Sequence, residues 1–216
     1  MNYNGLQKYH CPLSLEKKVR NQIVDSLTPV AIDAFGTDMT REDVENHVIP
    51  VSTLLVSRNS EEVKGFSAYK TFNFEDYAIV YGVGASVLRS EQGKGLYRRF
   101  NEEGIKVELR KNASNKFYFA ARTQNPVIYA SLRKMDLIEK VYPNEEKTPH
   151  DIEEIAEKIA NILGGQIDKN FVMKNAYGKC LYDEVQRYKD EEVNNMFDSL
   201  LSYEKGDALL IIGKLK

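Results

Sequence analysis

Cysteine is scarce in this chain. Only Cys11 and Cys180 occur, too few and too far apart for a disulfide framework. Neither forms metal-ligand spacing with His10, His47 or His150, so no metal centre is expected and both thiols read as structural. Long apolar runs are missing as well. Nothing approaches the ~18 consecutive apolar residues of a membrane-spanning helix, and the longest runs, such as 208–212, are strand-sized. The opening stretch MNYNGLQKYHCPLSLEKKV lacks the continuous apolar segment of a signal peptide, and the expected location is cytoplasmic. Nor does either sign of charge dominate. Thirty basic residues stand against 32 acidic ones, a net charge of −2, which argues against a dedicated nucleic-acid binder and leaves room only for a local basic patch. Internal repeats and low-complexity segments are also lacking.

What is present suits an ordinary folded domain: 216 residues, 42% of them hydrophobic, enough for a real core. The first ~50 residues read as helix in pieces by periodicity and end signals. These pieces are an amphipathic stretch at 15–27, a short apolar run at 30–35 closed by Gly36, and 40–48, which opens on TRED. In that capping-box pattern a hydroxyl and a carboxylate satisfy free amides at a helix start. The rhythm then changes to strands at 52–57, 63–74 and 77–88, rich in β-branched and aromatic residues, with polar turns at 59–61 and 75–76. Three antiparallel strands are the economical reading. A helix is predicted at 95–111, a strand at 116–122, and a second helix at 125–135 with Asn125 as cap and Pro126 in the first turn. Further on, 148–163 has Thr148 as an expected cap, isoleucines at helical spacing and Gly164 past its end. A helix at 191–201 and a strand at 208–215 complete the order.

This is an α/β chain of the α+β type, a mixed and largely antiparallel sheet flanked by helices. Gly104 interrupts the 95–111 helix at a cost of ~1 kcal/mol relative to alanine. That helix is also apolar on two sides, with Leu96, Phe100 and Val107 on one and Ile105 and Leu109 on the other, and so is expected to be covered twice.

The stretch SEQGKGLYRRF, 90–100, joins a strand to that helix. Helix-start amides lack internal partners and carry partial positive charge, and glycines let backbone approach an anion closely. Lys94, Arg98 and Arg99 add cationic character, so a phosphate or pyrophosphate is the natural ligand; a plain surface turn is the alternative. Two familiar phosphate loops fail. A P-loop would need glycine at Leu88 and a hydroxyl residue at Gly95, and a dinucleotide fingerprint starting at Gly82 and Gly84 would need glycine at Val87.

What remains, Gln92, Gly93, Lys94, Gly95 and Leu96 after a strand, resembles the acetyl-coenzyme A loop of the GCN5-related N-acetyltransferase (GNAT) superfamily. That pattern is Gln or Arg, two residues, Gly, one residue, then Gly or Ala. Tyr97 departs from the small last residue, and Arg89 stands where a proline is frequent. Val87, five residues before Gln92, matches the apolar strand end. A second block, FYFAARTQNPVIYASLRKMDLI at 117–138, resembles the superfamily's following strand, asparagine, short helix and return strand. The resemblance implies one GNAT-like domain over 1–216, with its core at about 28–140 plus a closing strand at 207–215. The extra segment, about 142–205, would be mostly helical and pack over the 95–111 helix or wall the acceptor pocket.

The resemblance further implies acetyl transfer from acetyl-coenzyme A to a primary amine of a small molecule or peptide. Val87, Gln92, Gly93, Lys94, Gly95, Leu96, Tyr97 and Asn125 would bind the cofactor. The strand at 77–88 would part from its neighbour to admit the pantetheine arm, which Gly82 and Gly84 fit; glycines making room for a large neighbouring side chain fit equally. The family's usual proton-donating tyrosine falls at Leu132, which leaves Tyr129, one turn earlier, as the catalytic candidate beside a plain packing role. No base declares itself. The 77–88 strand holds no carboxylate, Tyr81 and Tyr118 are merely polar on central strands, and Asp33, Asp38, Glu42 and Asp43 suit a solvated helix face as well as an acceptor wall. A catalytically silent acyl-coenzyme A sensor or assembly module is the alternative. No metal, nucleic acid or membrane is implied as partner, and a homodimer is compatible.

Overall fold

A computed structural model describes residues 5–36, 38–59, 62–114 and 116–216. The chain divides into two compact units, Met1–Lys116 and Phe117–Lys216. Among the described residues it forms eight strands and six α-helices, the α/β class that the sequence pattern implies.

The first unit holds strands β1 (Leu6–His10), β2 (Thr53–Asn59), β3 (Glu62–Asn73) and β4 (Ala78–Val87), paired antiparallel in that order. Strand β1 corrects the all-helical reading of the first residues. It is a polar edge strand whose one fully buried side chain is Leu6, so its pattern carries little signal. Of the turn predicted at 59–61, residues 60 and 61 lie outside the described residues. Helix α1 (Lys17–Phe35) runs unbroken through Pro29, where two separate pieces were expected. Ile23, Val24, Leu27, Val30 and Ala31 recur on one buried face across the proline. At about 1.5–3 kcal/mol per buried aliphatic side chain, that packing outweighs the lost backbone bond. Helix α2 (Arg41–Val48) starts with the predicted box: the Asp43 amide donates to Thr40 Oγ1 at 3.1 Å, and the Thr40 amide to the Asp43 carboxylate at 2.9 Å.

Strand alternation sorts the helices onto two faces. Leu54, Val56, Phe66 and Ala68 join the core cluster of α1 and α2. The intervening positions Thr53, Gly65, Tyr69 and Thr71 turn to helix α3 (Leu96–Arg110) on the other face. Two glycines let α3 lie close. A Cβ on Gly65 would stand 2.8 Å from the Ser86 carbonyl and 3.2–3.3 Å from Phe100 and Leu96 in the first turns of α3. A Cβ on Gly104 would stand 2.4 Å from the ring of Tyr69, which is wholly buried. The helix-weakening glycine is therefore the seat of an aromatic ring.

A carboxylate fastens the far end. Glu108, 1% exposed, accepts from Ser52 Oγ at 2.8 Å, Thr53 Oγ1 at 2.5 Å, Thr71 Oγ1 at 2.7 Å and Lys111 Nζ at 2.8 Å. Burial by itself would raise its pKa. The donors Lys111, Thr53, Thr71 and Ser52 together outweigh burial and hold the carboxyl below its ordinary value of 4.5.

The second unit holds β5 (Phe117–Thr123), β6 (Ile138–Tyr142), β7 (Val172–Met173) and β8 (Ala208–Leu215); β8 pairs antiparallel with each of the other three. Helix α4 (Pro126–Leu132) is capped by Asn125, as expected. Helix α5 (His150–Ile162) begins after Pro149 with no side-chain cap; Thr148 does not serve, and Asp151 and Glu153 occupy the first turn instead. Gly164 follows its end in the left-handed region, φ +78°. Helix α6 (Glu191–Leu200) packs on α4. The insertion before β8 thus carries α5 and α6 but is not mostly helical. Between them lies the short strand β7 and irregular chain, tied down in part by buried Asp207, which accepts from the Asn175 amide and Lys174 Nζ, and by buried Gln124, which accepts from the Leu181 amide.

Gly104→Ala is expected to lower stability by about 1–3 kcal/mol through overpacking against Tyr69, despite alanine's helix propensity; a raised melting temperature would contradict this seating. For Glu108 the folded-state pKa is depressed, so its contribution is complete above the unfolded value and lost as pH falls through the folded one. Glu108→Ala is expected to cost on the order of 3 kcal/mol at neutral pH, and Glu108→Gln to flatten the loss of stability below pH 4.5 in acid titrations followed by circular dichroism.

Candidate functional site

Strand β4 is irregular at its centre. Ala68 of β3 pairs with Gly84 and Tyr69 with Gly82, which leaves Val83 as an extra residue without a partner on β3. This is a bulge between the two glycines singled out in the sequence. The pairing places Gly84 on the α1–α2 face and Gly82 on the α3 face.

Beyond Val87 the chain makes a single turn of 3₁₀ helix at Arg89–Glu91 and enters the glycine–lysine loop. Its mouth is tied in two ways. The Arg89 amide donates to the Asp33 carboxylate and Arg89 Nε to the Asp33 carbonyl, both at 2.6 Å. A proline at this position could make neither bond, which gives the departure at Arg89 a physical role. It also makes Asp33 a brace rather than a free acceptor-wall carboxylate. Gln92 closes the turn, its side-chain amide donating to the Val87 carbonyl at 3.0 Å.

Gly93 and Gly95 both sit in the left-handed region, φ +75° and +82°, and an added Cβ on either would meet nothing within 4 Å. Lys94 extends to Glu91 at 3.2 Å. Gly95 is the N-cap residue of α3, with no capping side chain and no acidic residue in the first turn. Residues 92–95 form a turn, and none of the amides of Gly93, Lys94, Gly95, Leu96 and Tyr97 makes a well-aligned hydrogen bond to protein among the described residues. Five donors, an open surface and the positive end of a fifteen-residue helix thus coincide.

Tyr97 departs from the small residue of the loop pattern without blocking that surface. Its phenol is desolvated, which pushes its pKa up to about 12 against the opposing effect of Asn101. Asn101 is itself 2% exposed and bonds the Tyr97 carbonyl at 3.0 Å and the Tyr69 hydroxyl at 3.4 Å. Tyr97 therefore belongs to the polar chain beneath α3. Leu96 packs beside Gly65.

The expected residues of the second unit are engaged by protein. Asn125 is buried; its oxygen accepts from the Val127 amide at 2.9 Å and its nitrogen donates to Gln186 at 3.4 Å. Tyr129 is also buried, and its hydroxyl donates to the Pro143 carbonyl at 2.7 Å. Burial raises its phenol above the ordinary value, with Arg133 opposing. Tyr118 is buried too, its hydroxyl 3.4 Å from Asp151.

One residue passed over in the sequence except as a metal ligand lies against the bulge. The Cδ2 atom of His47, in the last turn of α2, is 3.8 Å from where a Gly84 Cβ would stand, and no other described group comes within 4 Å of that point. Its Nδ1 is 2.6 Å from the Asp43 carbonyl. A carbonyl only accepts, so Nδ1 carries the hydrogen and the neutral ring presents Nε2 as an acceptor. The sequence signal available was its place on the predicted 40–48 helix.

No protein-family model matches the sequence, and no curated protein matches it. Solved structures do. The chain is similar to an acetyltransferase of the GNAT family from Streptococcus pneumoniae (16% identity, TM-score 0.41, covering 66% of this chain and 93% of that one). It is also similar to Tetrahymena GCN5 (12% identity, TM-score 0.49, 98% and 96%). A GNAT family acetyltransferase from Brucella melitensis, solved in complex with acetyl-CoA, aligns at 15% identity with a TM-score of 0.35, covering 54% of this chain and 76% of that one.

Proposed function

We propose that this protein is an N-acyltransferase that moves an acetyl group from acetyl-CoA to a primary amine of a small molecule or peptide. The observation that carries the reading is the set of amides at 93–97, which have no well-aligned protein acceptor among the described residues and lie beside the open space at Gly93 and Gly95 at the start of α3. A diphosphate supplies the oxygens such donors need, and the partial charge of the helix end favours it. Lys94 and Arg99 add cationic character to the same end of the helix.

The loop follows directly from the strand that carries the bulge, so one continuous stretch, Gly82 to Tyr97, can serve both ends of the cofactor. The diphosphate lies on the loop, and the pantetheine arm runs along β4 toward Val83. The chemistry then needs a neutral amine. Its lone pair attacks the thioester carbonyl carbon, the C–N bond forms and the C–S bond breaks. The proton shed by nitrogen finally resides on the thiol. Much of the rate comes from holding amine and thioester together. The hydroxyl of Tyr129, given to the Pro143 carbonyl, favours a second reading in which the protein binds acyl-CoA without turning it over. Thiol release with amines separates the two readings.

Calorimetry with CoA and acetyl-CoA tests the loop. Gly95→Asp places a carboxylate beside the same amides, where its charge repels phosphate. The expected result is at least about tenfold weaker binding, a loss of roughly 1.4 kcal/mol, in a protein that still unfolds cooperatively at a melting temperature lowered by the left-handed backbone at this position. Undiminished affinity in this variant would contradict the assignment.

A further inference from the structure

The geometry points to His47 as the general base of the proposed acetyl transfer, an inference that rests on the acyl-CoA reading. Three observations on the first unit carry it. The imidazole edge lies against Gly84, on the α1–α2 face of β4 and next to the unpaired Val83, where the thioester arm would run. Its Nδ1–H is spent on the Asp43 carbonyl at 2.6 Å, so the lone pair of the neutral ring is on Nε2. The ring is exposed, so that Nε2 is accessible to an incoming amine. Strand β4 itself offers neither carboxylate nor histidine, and Asp33 and Asp43 are committed to Arg89 and Thr40.

The step balances as follows. As the amine nitrogen bonds to the carbonyl carbon, Nε2 accepts its proton and becomes imidazolium. When the C–S bond breaks, the electron pair leaves with sulfur, and the imidazolium returns the proton to the thiolate, directly or through water. The products are the amide and free CoA thiol, with His47 neutral again. Imidazole suits this exchange because one ring nitrogen can accept a proton and give it back while the other stays bonded. The bond to Asp43 fixes the ring, so no reorientation is needed between the two transfers.

Two measurements on the full-length protein test the proposal. Carbethoxylation by diethylpyrocarbonate, mapped by mass spectrometry, is expected to slow several-fold at His47 under saturating acetyl-CoA. His10 and His150 serve as internal controls and should be unaffected. Thiol release from acetyl-CoA with n-propylamine, an acceptor small enough for any pocket, is expected to fall about 10²-fold in His47→Gln. Acetyl-CoA affinity should be unchanged, and added imidazole should restore part of the rate in His47→Gly. Protein that binds acetyl-CoA but shows no protection of His47, or the same release rate in His47→Gln, would overturn the role of His47 alone; binding with no thiol release would overturn that role together with the acetyl transfer itself. Protein that fails to bind acetyl-CoA would overturn the acyl-CoA reading and this inference with it.

Discussion

Helix α3 lies on its sheet at a distance that side chains would normally prevent, and the exposed amides at its start take their direction from that contact. Gly65 removes a side chain under the first turns, Gly104 removes one under the middle, and the Tyr69 ring fills the second gap. At the other end Glu108 is gripped by three hydroxyls and an ammonium group, from Ser52 just before β2, from β2 and β3, and from Lys111 at the end of α3. A buried carboxylate is costly unless its acceptor capacity is met, and here it is met by donors on elements that must be correctly docked. The helix axis, and with it the dipole aimed at the loop, is held at both ends.

The same economy extends along β4. Within about fifteen residues the chain goes from a bulge, through a braced strand end, to a ring of unpaired donors. The Asp33–Arg89 bonds fix where the strand stops, and Gln92 turns its side chain back onto the strand to set the loop's curvature. The bulge breaks the pairing with β3 at Val83, and the loop leaves its own amides without well-aligned protein partners among the described residues. A chain under selection for stability alone would have little reason to leave so many amides open beside left-handed glycines.

Much of this was legible in the sequence because its causes are local. The TRED cap, the alternation of β2 to β4, the two glycines of the bulge and the glycine–lysine loop each announce themselves over a few residues. What escaped depends on distant partners. Gly65 looks like any strand glycine until the helix above it is known. Gly104 reads as a defect until Tyr69 is placed beneath it, 35 residues away in sequence. Glu108 looks like one more charge on a polar helix, although it meets hydroxyls more than thirty residues upstream. His47 carries no motif, and its interest comes wholly from lying against Gly84. Pro29 misled in the opposite direction, because a local rule yielded to a continuous buried face.

The central claim concerns five backbone amides, and nuclear magnetic resonance reads amides one by one. In a ¹⁵N-correlated titration with coenzyme A, the signals of Gly93, Lys94, Gly95, Leu96 and Tyr97 should shift together and saturate. Glu108 and the end of α3 should move little, and 3′-phosphoadenosine lacking the diphosphate arm should leave the five signals nearly in place. Saturation with coenzyme A that leaves these five amides unmoved would contradict the account.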